Sequence, residues 1–342
     1  MKTFLTFTLI IICHISFAQD IKPLFTSLDV FELEWVSDPQ ISPDGSKIIY
    51  NRRGMDIMTD RKTSSLWLIN ADGSKQRKLT QSEKSERNAR WSPDGKRIAF
   101  VSSTDQGSEI FVYWIESGQY ARLTQLDRSP SNISWSEDGK TIAFTMLVPK
   151  KPPYLVRQPK KPKGAKWANA PRVTIRFKHE ADGSGYIEQG FHHIFVLPAE
   201  GGTPRKISSG DYNHRSSLVW TGDKILFSAI RDENWEYIRR DSEIFSVEVS
   251  TGETSQLTKR NGPDFGAAIS PNGQKVAYLG YDDKVQTDHI NKLYVTNTDG
   301  SNKKEIKTNL DRNINNLRWD SKGSGVYFKY DDKGDTQLGY TT

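Results

Sequence analysis

The residues able to do chemistry are few, and they do not assemble into a catalytic apparatus. A Gly-x-Ser-x-Gly nucleophile elbow is absent; Ser184 and Ser324 lie in Gly-Ser-Gly, which lacks the outer spacing and reads as a turn. Neither His-Glu-x-x-His nor an EF-hand loop occurs, so no metal site and no cofactor is expected. His192 and His193 are adjacent and would point to opposite faces of a strand, so they cannot chelate one ion together. The densest ionisable run is Glu233, Glu236, Arg239, Arg240, Asp241 and Glu243, flanked by Trp235 and Tyr237. It reads as a solvated hairpin or as a polar binding patch. A second charged segment holds Lys150, Lys151, Arg157, Lys160, Lys161, Lys163 and Lys166 among five prolines, with no acid. It reads as a solvated loop held stiff by proline, or as a contact surface for an acidic partner or a strap onto a following domain.

These residues hang on a repeat. Ile41-Ser-Pro-Asp-Gly, Trp91-Ser-Pro-Asp-Gly, Trp135-Ser-Glu-Asp-Gly, Trp220-Thr-Gly-Asp, Ile269-Ser-Pro-Asn-Gly and Trp319-Asp-Ser-Lys-Gly each precede a β-branched and aromatic run. The spacings are 50, 44, 85, 49 and 50 residues, a period of propeller-blade length with one insertion of roughly 35 residues. Each unit adds a second hairpin, as in Ile110–Tyr113, Glu116-Ser-Gly, Ala121–Thr124, so the unit is a four-stranded blade. The expected fold is an all-β propeller of WD/TolB-like blades. Five are complete (38–88, 89–132, 133–217, 218–266 and 267–316), and a sixth begins at Leu317 and is truncated. An open blade exposes a strand edge, which implies that the polypeptide is longer than 342 residues. The recurring Trp91, Trp135, Trp220 and Trp319 read as packing between blades.

The first residues read as an address. Lys2, the apolar run Phe4–Ile12 and the small residues Ser16 and Ala18 have the order of a secretory signal peptide over residues 1–18. Ile12 stands where a lipid anchor at Cys13 would need a small residue. A lead segment (19–37) and the propeller (38–342, with the insertion near 147–185) follow. Cleavage would remove the single cysteine, leaving no disulfide and no thiol. A secreted, periplasmic protein of a Gram-negative bacterium is expected, with no membrane association after cleavage. The net charge of +6 invites a nucleic-acid reading, but taking away Lys2 and the seven basic residues of 150–166 leaves −2. The charge is one loop, so no nucleic-acid partner is expected.

The Ser-Pro-Asp-Gly blades, the lead Phe31–Trp35, Tyr186–Val196 followed by Gly201-Gly-Thr-Pro-Arg205, Arg240–Phe245 and Tyr278–Asp283 together resemble the N-terminal half of a prolyl oligopeptidase family serine peptidase. The likeness is to its acylaminoacyl-peptidase and dipeptidyl-peptidase-like branch, over residues 24 to 342. TolB-type periplasmic propellers share the blade signature. The resemblance implies a propeller that gates short peptides into a C-terminal α/β-hydrolase domain carrying Ser, His and Asp, none of which transfers to this chain. It further implies that a propeller acid, Glu233 or Glu236, with Arg240 and Asp241 beside it, holds a substrate's free α-amino group. The chain alone would then be inactive. The alternative function is a non-enzymatic, TolB-like protein-binding propeller.

Overall fold

A computed structural model describes residues 24–151, 159–168 and 171–342; the expected signal peptide and Arg157 lie outside the described residues. The chain forms six consecutive antiparallel meanders plus a two-stranded hairpin (Glu180–Ala181 with Gly185–Tyr186) in the insertion. Blade one is Trp35–Ile41, Lys47–Asp56, Arg61–Asn70 and Arg77–Lys78, and blade two is Glu86–Trp91, Arg97–Thr104, Gly107–Trp114 and Tyr120–Arg122. Blade three is Ser131–Trp135, Thr141–Pro149, Gly190–Pro198 and Arg205–Lys206, and blade four is Val219–Thr221, Lys224–Ala229, Glu243–Glu248 and Thr254–Gln256. Blade five is Asp264–Ile269, Lys275–Gly280, Lys292–Asn297 and Lys304–Ile306; blade six has three strands, Ile314–Trp319, Val326–Asp332 and Asp335–Thr341. This is the propeller that the repeat predicts.

The turn chemistry works as the sequence suggests. In blade two, Gly95 takes φ 67° and the Asp94 carboxylate accepts from Ser92 Oγ and the Lys96 N–H. Ser92 Oγ in turn accepts the Arg97 N–H at 2.9 Å, pinning the first residue of the next strand. One device is less obvious. The first strands of blades one, two, three, five and six carry a bulge whose extra residue has positive φ: Asp38, Asn88, Asn132, Gly266 and Asn316. Each stands three residues before the Trp or Ile anchor, and four of the five are Asn or Gly, the residues that adopt this conformation at least cost.

The core is distributed between successive sheets. Ile98, Phe100 and Leu66 fill the interface of blades one and two; Val101, Ile142 and Phe144 that of two and three; Val196, Ile225 and Val247 that of three and four. First strands of neighbouring sheets also pack on one another and form the inner ring. The anchor tryptophans seal this ring. The indole N–H of Trp91 donates to Gln40 O, that of Trp135 to Arg90 O and that of Trp319 to Ala268 O, at 3.0–3.1 Å, each reaching the blade before. Blades four and five join differently. Their apolar contribution is Ile244, Tyr278 and Tyr294, and the rest is a buried polar cluster around Arg260 and Asp264, paired at 2.7 Å.

Because strands alternate in direction, loops joining second to third strands share one end of the propeller with the connections between blades. The blade-three insertion (150–189) and the charge-dense loop of blade four (230–242) are both of this kind, so adjacent blades bring them side by side.

Candidate functional site

The blade-four loop is shaped by its own sequence. Asp232 Oδ1 accepts the Asn234 N–H at 2.7 Å, and the N–H groups of Trp235, Tyr237 and Ile238 donate to Asp232, Asn234 and Trp235 carbonyls. The resulting tight turn presents Trp235 inward and Tyr237 outward, 69% exposed. Trp235 meets Phe191 edge-on with ring centroids 5.7 Å apart. Arg176 of the insertion lies 4.2 Å over the Phe191 ring and 5.3 Å from Trp235, and its Nη1 donates to Gly190 O at 3.0 Å. The next residue, Phe177, forms an edge-on pair with Tyr237 at 5.0 Å. Two adjacent loops thus build one aromatic and cationic shelf.

Glu236 stands between the shelf residues Trp235 and Tyr237 in the same turn. It is half-buried, and its Oε1 is shielded from solvent without a hydrogen-bond partner; no ion pair to it is present among the described residues. A shielded carboxylate oxygen without a donor costs about 1–3 kcal/mol or more, so the position favours a ligand that brings N–H groups. The other residues of the sequence-expected site separate from it. Glu233 is exposed at the turn, and Arg240 is exposed with no ion pair among the described residues. Asp241 Oδ1 accepts the Gly262 N–H at 2.9 Å, tying the loop to the connection leading into blade five.

The basic insertion is partly neutralised. Lys150 pairs with Asp211, and Arg128 clasps both oxygens of Glu188 at 2.8 and 2.5 Å. Arg172 stacks 3.7 Å over Tyr186. Arg128, Lys150, Arg172, Tyr186 and Glu188 line a cleft of about 560 Å³ with His179 and Lys151. Lys160, Lys161, Lys163 and Lys166 are exposed, as a solvated loop requires. No group of three or more metal-ligating side chains occurs among the described residues.

Behind the shelf lies a polar pocket. His214, fully buried, has Nδ1 2.9 Å from His192 O and Nε2 2.8 Å from Arg231 Nη1. A carbonyl only accepts and a guanidinium only donates, so Nδ1 carries the proton and the ring is neutral. His193 faces the other side of its strand from His192, as expected, with its ring 5.5 Å from that of His214 and Nδ1 3.0 Å from Ser208 Oγ. Burial, with Arg231 adding like charge, pulls both histidines down to about 4.

Sequence reasoning missed Arg176, Phe177, Phe191, His214 and Arg231. Arg176 and Trp235 are 59 residues apart and meet only through the packing of two blades. No local spacing marks them.

Two family profiles match consecutive parts of the chain. That of the TolB beta propeller domain matches residues 30–153, and that of the dipeptidyl peptidase IV (DPP IV) N-terminal region matches residues 163–284. Dipeptidyl-peptidase 5 of Porphyromonas gingivalis is 26% identical over 330 residues, which are 90% of this chain and 46% of that protein. Among solved structures, the acylaminoacyl peptidase of Pyrococcus horikoshii superposes with a TM-score of 0.66 at 18% identity, over 91% of this chain and 45% of the other. The β-propeller domain of the Trilobed protease from Pyrococcus furiosus gives 0.60 at 19% identity, over 91% and 82%. The chain therefore carries a TolB-like propeller running into a DPP IV N-terminal region, homologous to dipeptidyl-peptidase 5, and it spans about half the length of that relative. The resemblance to the propeller half of a prolyl oligopeptidase family peptidase is borne out.

Proposed function

We propose that this chain is the substrate-gating propeller of an exported serine peptidase that hydrolyses short peptides. The observation that carries the reading is the match over 90% of this chain to 46% of a dipeptidyl-peptidase. Peptide bond cleavage would belong to an α/β-hydrolase domain of the same polypeptide, through a serine acyl-enzyme oriented by His and Asp. The propeller would admit extended peptides and hold their free end. Export rests on the signal-like order of Met1–Ala18.

Glu236 is the residue best suited to receive a substrate α-ammonium. Its Oε1 is shielded from solvent and has no hydrogen-bond partner, so a charge-assisted hydrogen bond there would be strong. Arg176, stacked on Phe191 and Trp235, fixes the shelf from the other side. In the full polypeptide, Glu236→Gln should lower kcat/KM for a dipeptidyl nitroanilide by about 10- to 100-fold, the worth of one hydrogen bond to a charged group. Hydrolysis of an N-blocked substrate should not change. Equal loss on both substrates, or none on either, would remove Glu236 from substrate binding.

A non-enzymatic, TolB-like protein-binding propeller is the second reading, favoured by the TolB profile over residues 30–153. A coding frame that continues into a Gly-x-Ser-x-Gly hydrolase excludes it; one that ends after further blades supports it.

A further inference from the structure

Beside the Phe177–Tyr237 pair with the insertion and the Asp241 bond to Gly262, two contacts tie the loop that carries Trp235 and Glu236 to the body of blade three. Trp235 rests on Phe191. Arg231, at the loop's entrance, reaches back into blade three, where Nη1 donates to Ser209 O at 3.1 Å and to His214 Nε2 at 2.8 Å. Its guanidinium lies 4.9 Å from the Tyr212 ring centroid and 5.6 Å from that of Phe245. Among the described residues no carboxylate pairs with Arg231, and its one hydrogen bond to a titratable side chain is that to the uncharged His214 imidazole. His214 is itself fastened to blade three, since His192 O accepts both its backbone N–H and its Nδ1–H at 2.9 Å. His192 adjoins Phe191, so both attachments end on the same strand.

We propose that Arg231 is a positioning residue for the 231–242 loop, held by the neutral imidazole of His214, and that protonation of His214 releases the loop and the Glu236 shelf with it. A protonated Nε2 has no lone pair to offer and sets a cation 2.8 Å from a guanidinium. Both attachments of the loop cannot then persist. Of the groups that act on His214, Arg231 and His193 disfavour a positive charge on the ring, while the backbone carbonyls of His192 and Tyr212 favour it. Around the neighbouring histidines, Lys206 and Arg231 disfavour charge on His193, Arg215 disfavours it on His192, and Asp211, paired with Lys150, favours it on His193. With the loop closed, burial and then the Arg231 guanidinium hold the His214 ring down near 4, so an opening that takes Arg231 away lets the ring accept a proton more readily. Opening should therefore grow as pH falls, by up to about tenfold per pH unit. The inference deepens the peptidase reading by making substrate capture acid-sensitive, but the latch stands or falls without any hydrolysis.

The test is hydrogen exchange read by mass spectrometry on the full chain at pH 7 and pH 5, corrected for intrinsic rates. In the wild type, protection of residues 231–242 should fall at least tenfold at pH 5, while the blade-two strand Arg97–Thr104 keeps its protection. His214→Gln offers an amide N–H to His192 O and an amide oxygen to Arg231 without titrating, so its loop should be equally protected at both pH values. Arg231→Met covers the case in which the glutamine variant does not fold; its loop should be unprotected at pH 7 and show no pH slope. His193→Gln should leave the slope intact. A wild-type loop without a pH slope overturns the proposal. So does a slope that survives in His214→Gln, a slope that vanishes in His193→Gln, or an Arg231→Met loop as protected as the wild type at pH 7. A failed Glu236→Gln hydrolysis test with a pH-dependent loop would remove Glu236 from substrate binding and keep the latch.

Discussion

Blades three and four close their third strands with the same device in opposite chemistry. In blade four, Thr258 Oγ1 accepts the Ile244 N–H at 2.9 Å and donates to the Glu243 carboxylate at 2.5 Å, while Glu243 also accepts the Arg260 N–H. Blade two repeats this with Thr124 and Glu109. In blade three the hydroxyl is Ser208, the backbone donor is Ile194 and the acid is replaced by His193. All three pairs are fifteen residues apart, because the turn between third and fourth strands sets one register. The substitution changes what burial costs. Glu243 is a buried acid held by two donors, the Thr258 hydroxyl and the Arg260 N–H, beside the Arg260–Asp264 pair; His193 is a buried neutral base beside a second one, His214. The acid clamp belongs to a joint built round an ion pair, and the histidine clamp to one that protons can open.

The comparison breaks most sharply at the charged joint. Asp264→Ala would leave the Arg260 guanidinium buried with its exposed partner Asp282 as its remaining carboxylate, and should destabilise by about 3–5 kcal/mol in urea unfolding. Loss below 1 kcal/mol would mean that the cluster is not under tension from burial. Removing the hydroxyls should rank next and should differ between blades. Thr258→Val strips a donor from a buried carboxylate, at about 1.5–3 kcal/mol, whereas Ser208→Ala removes a hydrogen-bond partner from a neutral ring, at about 0.5–1.5 kcal/mol. Equal costs would show that the charge of Glu243 is spread over its other donors.

The smallest effect is the most diagnostic. Burial lowers His193 from 6.5 to about 4, so the folded chain declines a proton that the unfolded chain binds. That contribution is fully present above pH 6.5 and is lost as pH falls toward 4. Burial raises Glu243, so its contribution runs the other way, present below its ordinary value of 4.5 and lost as pH rises through the raised one. Urea midpoints between pH 4 and 7.5 should therefore flatten on the acid side in His193→Gln and on the neutral side in Glu243→Gln. Parallel curves for the two variants would erase the distinction between the clamps.

Much of this was legible in the chain. The Ser-Pro-Asp-Gly turns, the anchor tryptophans and the fifty-residue period specify sheets, order and strand direction, because each acts within a few residues of backbone. The bulge was legible too, as an Asn three residues before the anchor in Asn88, Asn132 and Asn316, although its meaning depends on the left-handed φ there. The acid-to-threonine spacing of fifteen was equally present and equally mute without the sheet register.

What the tertiary structure alone decided is which charged residues matter. Glu233 and Glu236 are three residues apart in one turn and look alike as letters. One faces solvent; the other is half-buried, with an oxygen shielded from solvent, beside a tryptophan that packs against Phe191 and Arg176 of another blade. Local sequence determines the strands, since hydrogen-bonded turns and side-chain alternation are short-range forces. Burial and charge pairing are set by neighbours from distant blades, so the shelf and its histidine latch exist only once those blades are packed together.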